Sequence, residues 1–250
     1  MVLAGQRPGI DALAAHFGQK LKALVPLAGK PMLARVLDTL GKVPQISDVV
    51  VMAQDTDALR GAVGDRTDVR FVTSSGGISA SLIDAIEGRE VSFPLLVTTA
   101  DHPLLTPEMV CEFLAGAGGD LTVGMVAKSL YDPRFAGERR TWLRFRGEAW
   151  SGANLFAFTG EPALGALRLW RRAEQDRKTA WKLFARFGPV LMLRALTRTI
   201  TLPEALHRAG KRLGLDARLI ALSYPVAAID VDKPADHALA LRILAARGQD

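Results

Sequence analysis

The chain alternates short, nearly continuous apolar runs with longer stretches whose apolar positions recur at helical spacing. Runs at 2–4, 48–54, 69–73, 93–99 and 121–127 suit parallel strands buried on both faces. Between them, residues 30–40 place Met32, Leu33, Val36, Leu37 and Leu40 on one stripe, as an amphipathic helix requires. Residues 57–63 and 79–87 read as shorter helices, and another starts near Pro107 with Thr106 as its N-cap. Residues 150–158 run from a polar turn into a strand. The alternation predicts an α/β fold: a single Rossmann-like, mostly parallel, doubly wound sheet with right-handed crossovers.

The pattern changes after Pro162. Four amphipathic helices rich in Arg and Lys are expected at 164–174, 179–187, 190–197 and 203–213, forming a basic helical insert over 162–214 within one domain of 1–250. Their aromatics Trp170, Trp181, Phe184 and Phe187 suit core packing, with a membrane surface as the alternative. The close of the chain reads as a strand bearing Asp230-Val231-Asp232, then a helix over 237–247. Asp236 is its cap or first-turn charge.

The candidate chemistry sits where runs stop. The run at 2–4 ends in Gly5, and a basic loop studded with Gly and Pro leads to Lys22 and Gly29-Lys30-Pro31. A strand that turns through glycine into a helix offers backbone N–H groups to an anion, and lysines beside it add point charges suited to phosphate. The plain alternative is an ordinary strand–turn–helix, since neither a Walker loop nor GxGxxG is present. Thr73 to Leu82, rich in Ser and Gly, stands at a strand's carboxyl end, where open α/β sheets bind ligands. It would otherwise serve only as a capped helix start. Asp101 ends the most apolar run. A carboxylate there faces the ligand crevice and suits Mg²⁺, which takes one or two protein carboxylates with phosphate oxygens and water. The stretch 131–146 carries Arg134, Arg139, Arg140, Arg144 and Arg146, either a solvated hairpin or loop, or a lid or clamp whose arginine forks bind phosphate.

Composition trims these readings. At 250 residues and 49% apolar content the chain can bury one large α/β core. A single cysteine, Cys111, excludes a disulfide framework or a multi-cysteine metal site and fits the reducing cytoplasm. No basic stretch precedes the short apolar opening, so no secretory leader is expected. With one residue ahead of Val2 the first strand is short, consistent with a natural start further upstream. No uncharged run reaches the ~20 residues of a membrane span. Net charge is +6, but aromatics are only 6% and are not interleaved with the basic residues, so no nucleic-acid partner is expected. Phosphorylated small molecules or an anionic membrane surface fit the charge better.

In order, Leu3-Ala4-Gly5, Lys22-Ala23-Leu24-Val25-Pro26-Leu27-Ala28-Gly29-Lys30-Pro31-Met32, the Ser/Gly segment, Asp101-His102-Pro103, Ser151-Gly152-Ala153-Asn154 and Asp230-Val231-Asp232-Lys233-Pro234-Ala235-Asp236 span nearly the whole chain. They resemble the nucleotidyltransferases with a molybdenum-cofactor-guanylyltransferase-like or sugar-phosphate-nucleotidyltransferase fold. The chain departs from the family where GQRPGIDALAAHFGQ replaces its glycine-rich loop.

The resemblance implies transfer of a nucleoside monophosphate from an NTP to a phosphorylated acceptor, with release of pyrophosphate and with Mg²⁺ as cofactor. Lys22 and Arg7 would be catalytic, Arg7 standing in for the family arginine. Leu3, Ala4, Gly5, Gln6, Ser75, Gly76, Gly77 and Ser81 would bind the nucleotide. Gly152, Asn154 and Arg140 would hold the acceptor. Asp101 and Asp232 would bind the metal, with Asp230 the alternative to Asp232. The Asp230–Asp236 segment and Ser151-Gly152-Ala153-Asn154 look closer to CTP-using members with sugar- or polyol-phosphate acceptors. Rivals are molybdopterin guanylylation, glycosyl transfer (which also uses a DxD) and a non-catalytic nucleotide-binding protein. The insert would set acceptor choice, homodimer contact or peripheral membrane contact.

Overall fold

The computed structural model describes all residues except 7–8, 65, 75, 132–140, 176–186 and 249–250. Its main sheet runs β10(Ala217–Ala221)-β7(Leu121–Ala127)-β9(Ala149–Phe158)-β6(Leu95–Thr99)-β1(Val2–Leu3)-β4(Val49–Ala53)-β5(Val69–Thr73), and the short β8(Leu143–Arg144) pairs with the start of β9. The pairs β1–β4, β1–β6, β4–β5 and β7–β10 are parallel, whereas β9 runs antiparallel to β6, β7 and β8. The expected α/β sheet is therefore present and mostly parallel. Chain order reverses about β1, so the carboxyl ends of β1, β4, β5 and β6 open onto one crevice. The beginning of β9 reaches the same edge.

Packing follows from the runs. All five residues of β4 are buried, and its alternate side chains enter two different cores. Val49 and Val51 meet Leu33, Val36 and Leu37 of α2(Met32–Leu40) and Phe113 of α5(Pro107–Gly116). Val50 and Met52 meet Leu82 and Ile83 of α4(Ile78–Glu87) and Leu167 of α6(Ala163–Gln175). Removing such a side chain from water stabilises by about 1.5–3 kcal/mol, which is why a continuous apolar run is covered on both faces. α3(Thr56–Val63) connects β4 to β5, with Asp55 capping it.

A third core positions the crevice. Leu13 of α1(Ala12–His16), Val25, Leu27, Met32, Leu104, Ile229, Val231, and Leu239 and Leu244 of α9(Pro234–Ala246) pack together. Residues three or fewer positions from Lys22, Asp101 and Asp232 belong to this cluster, so apolar burial draws three distant charged residues to one rim. Polar links fasten it: the His237 ring stacks on Phe17 with centroids 4.3 Å apart, and its Nε2 is 2.8 Å from the Pro26 carbonyl oxygen. Arg247 donates to the Leu104 carbonyl at 3.1 Å.

Several expected elements take another form. The helix predicted from Lys30 starts at Met32, because Pro26–Leu27 and Lys30–Pro31 first pair as a hairpin, β2 and β3. Its turn residues Ala28 and Gly29 both have positive φ, at 47° and 70°, as a two-residue type I′ turn requires. Arg35 clasps this turn through the carbonyls of Leu27 and Ala28 at 2.7 and 2.9 Å. No strand carries Asp230–Asp232: residues 225–228 form a 3-10 turn, and the loop leads to α9. The neighbouring strand is instead β10, an element the pattern did not announce.

Of the basic helices, α6, α7(Pro189–Leu196) and α8(Leu202–Leu213) stand close to their expected bounds, while the helix at 179–187 falls largely outside the described residues. Trp170 is half-buried against Phe156, and Trp181 and Phe184 lie outside the described residues. Val190, Leu193 and Leu196 of α7 are exposed. Among the described residues no helix is long and apolar enough to cross a membrane.

Candidate active site

The crevice is built outward from β1. A β-carbon at Gly5 would come within 2.9 Å of Gln54 Oε1, so glycine lets the loop close on the carboxyl end of β4. Gln54 Oε1 then accepts the Gln6 backbone N–H at 3.1 Å, and Gln6 Oε1 accepts the Lys22 backbone N–H at 3.1 Å. Gln6 Nε2 donates to the Lys20 carbonyl at 3.2 Å. Two glutamines thus fix where the Lys22 side chain begins, at the head of the 3-10 turn Lys22–Leu24.

That side chain ends between two carboxylates. Lys22 Nζ is 2.6 Å from Asp101 Oδ2 and also contacts Asp232 Oδ1. Only 16% of the Lys22 side chain and 25% of Asp101 are exposed, against 56% of Asp232. The Asp101 carbonyl accepts the Val231 N–H at 2.9 Å, joining the two acidic loops. Asp236 accepts from the backbone N–H groups of Asp232 and Lys233 at 3.1 and 2.9 Å, which fixes the turn ahead of α9. That is the cap or first-turn role expected of it. Asp230 lies half-buried two residues upstream.

Burial pushes the Asp101 pKa up, but the Lys22 ammonium beside it outweighs that and holds the carboxyl below its ordinary range. Burial likewise works against the Lys22 charge, and the Asp101 and Asp232 carboxylates more than offset it, so its pKa is raised. One lysine facing two aspartates leaves a net negative pocket. Asp101 Oδ1 is buried and makes no hydrogen bond of good geometry, although the Thr99 hydroxyl also favours its charged form. Two hard carboxylate donors meeting at a point already held by a cation, one with an unused buried oxygen, suit Mg²⁺. Among the described residues no cluster of three His, Cys, Asp or Glu is arranged for a metal, so phosphate or water would complete the shell.

The Ser/Gly segment forms a second patch at the end of β5. Gly76 and Gly77 are exposed. Ser81 is buried, its hydroxyl 2.7 Å from that of Ser74, so this side chain braces the turn from inside. Ser79 is also buried. Its backbone N–H donates to Glu174 Oε2 at 3.2 Å, and its hydroxyl contacts the same oxygen. Glu174 comes from α6, and a β-carbon at Gly77 would lie 3.1 Å from that oxygen.

On β9, Gly152 is exposed with open space beside it, and Asn154 has φ 50° where the β7–β9 register shifts between Val123 and Met125. Such bulges re-aim side chains beside sites. Leu3 and Ala4 continue the ladder as far as the loop, through Ala4 N to Met52 O and Ala100 N to Leu3 O, each 2.9 Å. Arg7, Ser75 and Arg140 lie outside the described residues.

The structure therefore brings Gln6, Lys22, Asp101 and Asp232 together and sets the Ser/Gly and β9 segments on other parts of the same edge. Sequence reasoning missed Gln54 and Glu174. Gln54 had the signal that marked Asp101, a polar residue ending a buried run. Nothing local marked Glu174.

A reversal of strand order at β1, glycine-opened loops and a lysine flanked by aspartates define an α/β protein with a charged crevice at the carboxyl ends of its strands. The family model for the MobA-like NTP transferase domain matches residues 2–196, and the chain belongs to this family of nucleotidyltransferases. Among curated proteins, the bifunctional protein GlmU of Ralstonia nicotianae is 34% identical over 131 residues, 50% of this chain and 28% of that protein. GlmU of Symbiobacterium thermophilum is 30% identical over 135 residues, 48% of this chain and 27% of that protein. The chain thus aligns with less than a third of these relatives' length. Among solved structures, a hypothetical transferase from Thermus thermophilus shares 32% identity at a TM-score of 0.79, covering 94% of this chain and 97% of that one. A CMP:2-keto-3-deoxy-manno-octonic acid synthetase solved with CTP has a TM-score of 0.59 at 12% identity, covering 99% and 98%, a likeness of fold alone.

Proposed function

We propose that the protein moves a nucleoside monophosphate from an NTP onto a phosphorylated small-molecule acceptor, with pyrophosphate as the leaving group. The observation that carries the reading is the meeting of Lys22, Asp101 and Asp232 at the carboxyl ends of β1 and β6. An acceptor phosphate oxygen attacks the α-phosphorus in line. The bond from that phosphorus to the bridging oxygen breaks, and its electrons leave with pyrophosphate. An ionised acceptor phosphate needs no base, so the chain's task is positioning and charge neutralisation. The backbone at Gly5 and Gln6 lines the triphosphate, and the Lys22 ammonium stabilises charge gathering on its oxygens. Asp101 and Asp232 would hold Mg²⁺, which supplies Lewis-acid neutralisation of phosphate oxygens when bound. Gly76 and Gly77, exposed and without side chains, leave a flat surface for base and ribose. Gly152 and Asn154 face the acceptor.

The likeness of the Asp230–Asp236 segment to CTP-using members supports cytidine as the base and a sugar or polyol phosphate as the acceptor. The MobA-like family match favours a second reading within the same chemistry, guanylyl transfer to a molybdopterin-type acceptor. Pyrophosphate release with Mg²⁺, each of the four NTPs and a panel of sugar, inositol and glycerol phosphates together with a molybdopterin-type acceptor tests both. Release requiring CTP and one panel member is the expected result. Release with GTP alone, and only with a molybdopterin-type acceptor, selects the second reading. Silence with every pair rejects nucleotidyl transfer.

A further inference from the structure

We propose that Lys22 guards the metal site: without nucleotide its ammonium occupies the point that Asp101 and Asp232 share, and an incoming triphosphate draws it away so that a divalent cation can enter. The inference rests on the nucleotidyl-transfer reading above. Lys22 Nζ contacts Asp101 Oδ2 at 2.6 Å and Asp232 Oδ1 as well. A metal ion using those oxygens and the ammonium are competitors for one position. The lysine backbone is tied to Gln6 Oε1 at 3.1 Å, so the flexible side chain rather than the loop is what yields.

The burial of this lysine makes the competition steep. Only 16% of its side chain is exposed, and an ammonium displaced by metal alone would be stranded beside a like charge with little water to screen it. Triphosphate oxygens supply the displaced ammonium with a new partner. Metal and nucleotide therefore bind together far better than either does alone, and by linkage each raises the other's affinity by the same factor. Lysine stands between the aspartates before binding and leaves one negative charge in excess; with metal between them and lysine on phosphate afterwards, that excess is neutralised.

Removing the lysine should tighten metal binding, the reverse of what loss of an ordinary active-site residue does. The test is Mn²⁺ binding to the full chain without nucleotide, by calorimetry or electron paramagnetic resonance, for wild type, Lys22→Met, Asp101→Asn and the double variant. Lys22→Met is expected to bind Mn²⁺ about tenfold or more tightly than wild type, and Asp101→Asn to remove that gain. A melting series adds a readout that tolerates a weakened fold: Mg²⁺ without nucleotide raises the melting temperature of Lys22→Met and leaves wild type nearly flat. Binding by Lys22→Met no tighter than wild type overturns the guarding role, as does a gain that survives Asp101→Asn. Pyrophosphate release by wild type is read separately. If it occurs while Lys22→Met gains no affinity, only the guard fails; if it is absent while the gain is seen, the guard stands and the reaction falls.

Discussion

Two neighbouring parts of the crevice handle charge in opposite ways. At the amino end of α4, the backbone N–H and hydroxyl of Ser79 already hold the Glu174 carboxylate. A helix amino terminus is an anion site by default, and here the chain's own carboxylate fills it. At the loop from Gly5 to Lys22 the imbalance is reversed, because two aspartates surround one lysine. The helix end is satisfied and suits the uncharged base and ribose. The lysine end carries surplus negative charge and, on the inference above, a cation that yields to a metal–triphosphate complex. On the proposed function, the direction in which an NTP lies would follow from which end is already neutralised.

The contrast can be broken from either side. Asp101→Asn should have the largest effect, a loss of about 10³-fold in turnover, measured by pyrophosphate release. Glu174→Ala should show the reverse pattern. Loss of a capping carboxylate costs about 1 kcal/mol, or ~2–4 °C in a chain of this size, while kcat stays within about threefold, about 0.65 kcal/mol. Glu174→Gln, which keeps an acceptor, should recover part of that loss. An equal fall in turnover for Asp101→Asn and Glu174→Ala would erase the distinction.

The pH dependence is smaller and has a definite sign. The Asp101 pKa is lowered from 3.8, so its contribution is fully present above 3.8 and is lost as pH falls through the depressed folded value. The Lys22 pKa is raised from 10.5, so its contribution is fully present below 10.5 and is lost as pH rises through the folded value. The melting-temperature difference between wild type and Lys22→Met should therefore stay constant between about pH 5 and 9. A difference that fades inside that window would mean the pair is not charged as described. The smallest effect is expected at the hairpin beside the site. Ala28 has φ 47°, and Ala28→Asn should stabilise by about 0.5 kcal/mol because asparagine tolerates this region, read as a small rise in the denaturant midpoint.

How much of this could be read from the sequence depended on whether the cause was local. The all-buried run of β4, the Thr106 cap with Pro107 behind it, and Asp101 at the tip of a buried strand are each set by residues within a few positions. They appear in the structure close to their expected places. The hairpin at Ala28–Gly29 was hidden because an apolar stretch flowing into Lys30-Pro31 reads as the approach to a helix. β10 was hidden because Ala217–Ala221 carries a charge and lacks a strong alternation. The loop at Asp230–Asp232 reads as a strand on apolar content, yet Ile229 and Val231 enter the third core without joining the sheet.

The convergence of Lys22 with Asp232 crosses 210 residues and that of Ser79 with Glu174 crosses 95. No spacing rule reaches so far; the family resemblance put Lys22 and Asp232 in one site, as catalytic residue and metal ligand, without pairing them. Glu174, part of no motif, was not found.

The most direct measurement is a crystal structure with Mg²⁺ and a non-hydrolysable NTP. The account predicts the triphosphate against Gly5, Gln6 and Lys22, with Lys22 Nζ withdrawn from Asp232, the metal between Asp101 and Asp232, and Glu174 still on Ser79. A triphosphate seated on the amino end of α4 with Glu174 displaced, and Lys22 still bridging the two aspartates, would contradict it.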